Sequence, residues 1–312
     1  MTSTTVDVRF VSDGYIIAGT LTDVPSPVAA ALVITGSGRI DRDSDAKVHG
    51  VPLLRTGVTR QVATALNTAR VVTLRFDKRG VGASGGDYLH AGMTDNLADA
   101  RAGLRWLAER CPGLPLLTVG LSEGTWHAAR LAASEEEKVA GTVLLGAPAR
   151  SGEQVLDWQI AKLAPTLPGV VKTVMRLTRT DFVQSQHKRI ARLKATTGDV
   201  ARIGGIRANV RWYREFMSYD PAQDYARLTV PVLAITGGHD MQVPPDDVSV
   251  IGSLVRGPFE GHVVDELSHL LRPDSSWTGP RGYRRAVRRP VSPKVLAIIT
   301  EWVTAHWGAE VT

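Results

Sequence analysis

Cysteine is almost absent: Cys111 is the single one among 312 residues. No internal disulfide can form, and no Cys/His cluster with zinc spacing can be drawn. One free thiol suits a reducing compartment, so a cytoplasmic protein is expected. Cys111 stands before Pro112 in a loop-like stretch and reads as incidental to chemistry. Long apolar runs are missing too, and none nears the roughly 20 residues of a membrane helix. The first residues, MTSTTVDVRF, lack a basic region followed by an apolar one, so no secretory signal is expected. Repeats and low-complexity segments are absent. Acids are fewer than bases, 31 against 37, for a net charge of +6. That excess is mostly arginine and unevenly spread. Nucleic-acid binding has only this charge in its favour, because no groove-reading motif accompanies it. What is left is a soluble globular chain, long enough for a large core. It is either two domains or one α/β domain with an insertion.

Taken in order, Val6–Phe10 and Tyr15–Leu21 alternate around Ser12-Asp13-Gly14, which predicts a β-hairpin. Ala30–Ile34 reads as a buried strand ending in Thr35-Gly36-Ser37-Gly38, with a polar run from Arg39 to Lys47 behind it. A helix is expected from about Leu53 to Asn67. Val71–Phe76 is the next strand, and Asp77-Lys78-Arg79-Gly80-Val81-Gly82 the turn after it. Asp95–Glu109 has helical spacing, with Leu97, Ala100, Leu104 and Leu107 on one face. Strands follow at Leu116–Val119, Gly141–Leu145, Val230–Thr236 and around His262–Val264, and a last helix at Pro293–Trp307. Such alternation predicts an α/β fold with a mostly parallel sheet and helices on both faces. From about Ala149 to Leu228 no strand pattern appears. Helices are expected there at Glu153–Leu163, Pro168–Leu177, Asp181–Ala195 and Ile206–Met217. The predicted division is a core in two parts, 1–148 and 230–312, around a helical cap at 149–229.

Between the strand at Leu116–Val119 and helix-forming Trp126–Ala133 stands GLSEG, Gly120 to Gly124. It fits the G-x-S-x-G nucleophile elbow, in which a sharp strand-to-helix turn exposes the serine hydroxyl. The glycines leave room where a Cβ would crowd Ser122. A serine nucleophile needs a base, and the base an acid to orient it. In open α/β sheets such groups gather beyond the carboxyl ends of strands. Asp240, just past Ile235-Thr236-Gly237-Gly238, is the best acid. Asp246 and Asp247 look like the start of a helix, and Asp265 lies too near the base loop. Among histidines, His239 adjoins the acid and His262 opens a strand, whereas His269 sits in the loop after the last one. Ser122, Asp240, His269 is then the expected catalytic set. For the oxyanion, two backbone N–H donors are needed. Glu123 supplies one, and Ser37 the other, with Gly38 as fallback.

At these residues the chain resembles a serine hydrolase of the α/β-hydrolase superfamily over nearly everything from Val6 to Trp307. More narrowly it is similar to bacterial esterases grouped with acyl-CoA thioesterase C-terminal domains. The resemblance rests on TGSGRIDRD (Thr35–Asp43), RFDKRGVGAS (Arg75–Ser84), GLSEG, YDPAQDY (Tyr219–Tyr225), GGHDMQVP (Gly237–Pro244) and ELSH (Glu266–His269). It implies an eight-stranded type of sheet with a helical lid after the sixth strand. It also implies cleavage of carboxylic esters with short to medium acyl chains, without a cofactor or metal. The oxyanion loop is TGSG and not HGGG, which argues against bulky lipids. Asp77 and Arg79 are read as structural, and Arg79 as a possible partner of Glu123.

Trp158, Trp212 and Phe216 are candidate substrate-binding residues in the lid, with Met175, Phe182 and Met217 beside them. Each is as readily the lid's own core. Arginines and lysines from Arg176 to Arg214, and a second cluster at Arg281, Arg284, Arg285, Arg288 and Arg289, allow a positive site mouth that favours anionic esters or acyl-CoA. The expected partner is a small ester or thioester, with no nucleic acid and no membrane. A thioesterase or acyltransferase would use the same triad, and a ligand-binding receptor on this scaffold is the non-enzyme alternative.

Overall fold

The computed structural model describes residues 3–48, 51–273 and 286–308. Strands β1 (Thr4–Ser12) and β2 (Tyr15–Asp23) form an antiparallel hairpin. Asp13 and Gly14, both at positive φ, make its tight turn. Next come β3 (Ala29–Ile34), the short pair β4 (Ala46–Val48) and β5 (Val51–Leu54), and α1 (Val58–Thr68). Then β6 (Val71–Phe76), α2 (Met93–Arg110), β7 (Leu116–Leu121), α3 (Glu123–Ala132) and β8 (Val139–Leu145) follow. An insertion carries α4 (Gly152–Leu163), α5 (Gly169–Leu177), α6 (Phe182–Lys194), β9 (Val200–Ile203), β10 (Ile206–Asn209), α7 (Val210–Ser218) and α8 (Ala222–Tyr225). The chain closes with β11 (Val232–Gly237), α9 (Asp247–Leu254), β12 (Phe259–Val264) and α10 (Pro293–Trp307).

Eight strands form the main sheet in the order β1-β2-β6-β3-β7-β8-β11-β12. From β6 onward every neighbour is parallel. Every residue of β3, β6, β7 and β11 is buried, because helices cover both faces. One face packs Leu97, Leu104 and Trp126 from α2 and α3 with Phe216 and Met217 of α7. The other packs Val62 and Leu66 of α1 with Val295, Ile299 and Trp302 of α10. The order reverses at β3, whose successor β6 lies on one side and β7 on the other. Such a reversal, at the carboxyl ends of β3 and β7, is where open α/β sheets bind ligands. This is the α/β-hydrolase arrangement, with the insertion after the sixth strand of the sheet.

Two stretches depart from expectation. The helix expected from Leu53 begins at Val58, and Val51–Leu54 is a strand. Gly57, at φ 55, sets the boundary. The interval expected to lack strands contains β9 and β10, an antiparallel hairpin. Gly204 and Gly205, both at positive φ, form its turn where helix punctuation was expected. The helix expected from Ile206 therefore starts at Val210, where the Asn209 side chain accepts the Trp212 N–H at 2.9 Å. Within the insertion α4, α6 and α7 pack on one another. Helix α5 is different: none of its residues is buried, and Val170, Val174 and Leu177 are exposed. Among the described residues, no helix is long and apolar enough to cross a membrane.

Candidate active site

Ser122 sits between β7 and α3 at φ 54 and ψ −121, a conformation that side chains seldom adopt. Two glycines make it possible. A Cβ on Gly120 would stand 2.3 Å from the Gly124 oxygen, and one on Gly124 would stand 2.5 Å from the Ile34 oxygen. Ser122 donates its N–H to Leu145 O at 2.9 Å, tying the turn to the end of β8. Thr125 closes the turn: its hydroxyl donates to Ser122 O at 2.6 Å.

Asp240 follows β11 and is fully buried. Its Oδ1 accepts the N–H groups of Gln242 at 2.7 Å and Val243 at 2.9 Å. Its Oδ2 lies 2.7 Å from His269 Nδ1. The ring of His269 rests on Gly146, where a Cβ would come within 3.1 Å of it. Gly146 directly follows Leu145, the acceptor of the Ser122 N–H, so the ring lies at the strand end that holds the serine turn. The loop bearing His269 is stacked on Gly237, where a Cβ would meet Leu267 O at 2.2 Å.

That loop is held by Arg272, which sequence reasoning missed. Its guanidinium is buried and, among the described residues, donates to carbonyls: Arg289 O at 2.7 Å, Leu270 O at 3.2 Å, and Thr56 O. Burial lowers its pKa to about 10.

The 35–38 loop lies against Ser122. A Cβ on Gly36 would be 3.1 Å from the Ser122 Cβ and 3.8 Å from its hydroxyl oxygen. Glu123, as the first residue of α3, has an N–H with no intrahelical acceptor. Its side chain is buried, accepts from Asn96 Nδ2 at 3.0 Å, and pairs with His127 Nε2 at 3.2 Å. Burial alone would raise the Glu123 pKa, but the charge of Lys78 and the bond to His127 outweigh it and bring it down to about 2. Arg79 is not the partner of Glu123. It binds Asp99 at 2.6 Å and Asp13 at 3.1 Å instead. Asp77 holds the same turn, accepting from Arg42 N, Arg42 Nη2 and Ala83 N.

Of the candidate lid residues, Trp212 and Phe216 come together, stacked with centroids 4.9 Å apart, and Phe216 also meets Trp126 at 5.0 Å. Phe216 and Met217 are buried parts of the core. Trp158 is half-buried elsewhere in the insertion, with Lys162 Nζ 4.4 Å above its ring. Several insertion cations are paired: Lys194 with Glu153, and Arg211 with Glu215 and Asp95. Of the second basic cluster, Arg281, Arg284 and Arg285 lie outside the described residues. Among the described residues no three of His, Cys, Asp or Glu gather to hold a metal ion.

Comparison with known proteins bears on the fold and the family. Esterase EstD of Thermotoga maritima is 24% identical over 279 residues, which are 89% of this chain and 62% of EstD. The chain thus spans less than two thirds of that relative. Among solved structures, the alpha/beta hydrolase GrgF from Penicillium sp. sh18 superposes with a TM-score of 0.63 at 16% identity, over 98% of this chain and 100% of GrgF. The Pyrococcus furiosus esterase Pf2001 does so with a TM-score of 0.62 at 16% identity, over 98% of this chain and 91% of that one. Both share the α/β-hydrolase fold described above. The family model for serine aminopeptidase S33 matches residues 48–274, well over half of the sequence, and the chain belongs to that family.

Proposed function

We propose that the chain is a serine hydrolase that cleaves carboxylic esters of short to medium acyl length through an acyl-enzyme on Ser122. One observation carries the reading: a serine held at φ 54 between strand and helix and tied by its N–H to Leu145, whose neighbour Gly146 lies under the ring of a buried histidine bonded to a carboxylate at 2.7 Å. The esterase names of the relatives agree with it.

In the proposed reaction Asp240 holds the Nδ1 proton of His269, leaving Nε2 free to accept a proton. His269 takes the Ser122 proton as the hydroxyl attacks the ester carbonyl. The N–H groups of Ser37 and Glu123 stabilise the oxyanion. His269 then protonates the departing alcohol, and water repeats the sequence on the acyl-enzyme. The insertion at 149–229 acts as the lid that selects the acyl chain, with Trp158, Trp212 and Phe216 as its candidate contacts. Ester, thioester and small acyl acceptors enter as small molecules, and no cofactor takes part.

A thioester substrate is favoured by one feature. Between 169 and 195 the chain carries seven Lys or Arg and one Asp, a setting that attracts an anionic acyl-CoA. The test is a panel of p-nitrophenyl esters, acyl-CoAs and alanine p-nitroanilide, run on wild type and Ser122→Ala. Turnover of esters should fall by about 10⁴ or more in the variant. Ester turnover near wild type in Ser122→Ala overturns the mechanism, and a preference for the anilide returns the chain to aminopeptidase chemistry.

A further inference from the structure

Lys78 is a buried lysine, 4% exposed, in the middle of the turn after β6. Its neighbours Asp77 and Arg79 are engaged in holding that turn. Lys78 forms no ion pair with a carboxylate among the described residues. Its Nζ instead donates to Gly36 O at 2.6 Å. A lysine is costly to bury, and packing alone would be served by methionine or leucine. What the lysine adds over an apolar side chain is the bond to Gly36 O.

We infer that Lys78 is a positioning residue, which locks the Gly36–Ser37 peptide so that the Ser37 N–H faces the oxyanion formed at Ser122. This rests on the proposal that Ser37 and Glu123 are the donors. Every described peptide bond is trans, so the N–H of Ser37 points opposite to the carbonyl of Gly36. With that carbonyl drawn inward to Lys78, the N–H is turned outward. Gly36 itself lies 3.1 Å, by its missing Cβ, from the Cβ of Ser122. On this inference the outward N–H stands beside the nucleophile.

The loop needs such a lock. Thr35-Gly36-Ser37-Gly38 holds two glycines, and Gly38 sits at φ 92. The Gly36–Ser37 peptide has glycine on its N-terminal side, where rotation meets little steric resistance. Rotated by half a turn, it would present a carbonyl oxygen to the developing oxyanion. An ammonium on the carbonyl opposes that rotation. It also polarises the amide, strengthening the N–H as a donor.

The same cation acts on the second donor residue. Burial lowers the Lys78 pKa, and its charge, together with the bond to His127, favours the ionised Glu123 carboxylate. Asn96 and His127 bind that carboxylate at the start of α3. One buried ammonium therefore acts on both stretches that carry the N–H groups, by a hydrogen bond at Gly36 and by its charge at Glu123. Neither side chain touches substrate in this scheme.

The experiment compares Lys78→Met, which keeps volume and loses the donor, with Lys78→Gln, which keeps a donor without charge. Both are measured for kcat and KM on p-nitrophenyl butyrate, and for inhibition by a trifluoromethyl ketone that forms an oxyanion on serine. For Lys78→Met we expect kcat to fall by about 10²-fold or more with KM nearly unchanged, as for the loss of an oxyanion donor. Affinity for the trifluoromethyl ketone should fall by the same factor, and Lys78→Gln should recover part of both. A kcat near wild type in Lys78→Met overturns the inference, as does a low kcat with undiminished affinity for the ketone. Should Lys78→Met fail to fold by circular dichroism, ¹⁵N-serine labelling of the unaltered protein decides. The Ser37 N–H resonance should move downfield when the ketone binds, and a stationary resonance overturns the assignment. Activity surviving in Ser122→Ala defeats the underlying mechanism. Loss there with none in Lys78→Met defeats this inference alone.

Discussion

Asp240 touches His269 with one oxygen and holds the backbone of Gln242 and Val243 with the other. The two N–H groups demand an oxygen at Oδ1. In Asp240→Asn the amide nitrogen must therefore face His269 and donate to Nδ1. The ring proton then moves to Nε2, and the base is lost while the hydrogen bonds survive. The expected result is a fall in kcat of about 10³–10⁴ with a nearly unchanged melting temperature. A kcat within tenfold of wild type would remove the pair from the mechanism.

The elbow glycines are set by space. Gly124→Ala pushes a methyl to 2.5 Å from Ile34 O and 2.6 Å from Thr35 O, both backbone atoms that cannot swing away. A loss of about 3 kcal/mol is expected in urea unfolding. Gly169, at the start of α5, is the control, because nothing lies within 4 Å of its Cβ position. Gly169→Ala should change stability by less than about 1 kcal/mol, in the favourable direction.

Acid should act through Glu123. Its folded pKa of about 2 lies below the ordinary 4.5, so its contribution is complete above pH 4.5 and is lost as pH falls towards 2. Between those limits the wild type should lose stability faster than Glu123→Gln. Urea midpoints at successive pH values measure the difference, and parallel curves would refute the ionised carboxylate.

Phe216 and Leu177 belong to the same insertion but to different environments. Phe216 is buried against Trp126 and Trp212, and Leu177 is 80% exposed. Phe216→Ala should cost about 3–5 kcal/mol. Leu177→Ser should stay within about 0.5 kcal/mol. Equal losses would mean that α5 is packed.

Much of the scaffold is legible because its signals are local. Apolar runs bounded by glycine mark β3, β7, β8 and β11, and the helix pattern of α2 is carried by Leu97, Leu104 and Leu107. The places of Asp240 and His269 follow from counting strand ends. What escapes are contacts between a side chain and a distant carbonyl. Lys78 reaches Gly36 O and Arg272 reaches Thr56 O, and carbonyls are the same at every residue, so no pattern announces them. The Glu123–His127 pair has the helical spacing of four, but so do many pairs that do not meet, and nothing in the sequence separates it from a pairing with Arg79. Hairpin β9–β10 was hidden because Gly204-Gly205 ends a helix as readily as it turns a strand.

Helix α5 has nine residues, fewer than an isolated helix needs to persist in water. Its side chains lend it little, since Met175 alone is half-covered. Such an element should open at a free energy far below that of the whole fold. Lys172, Arg176 and Arg179 stand in and just after it, so trypsin should cut there readily. Both cut ends would stay in place, because α4 and α6 on either side are packed on α7. A nicked protein that still migrates as one particle is the form that storage or extraction would leave behind.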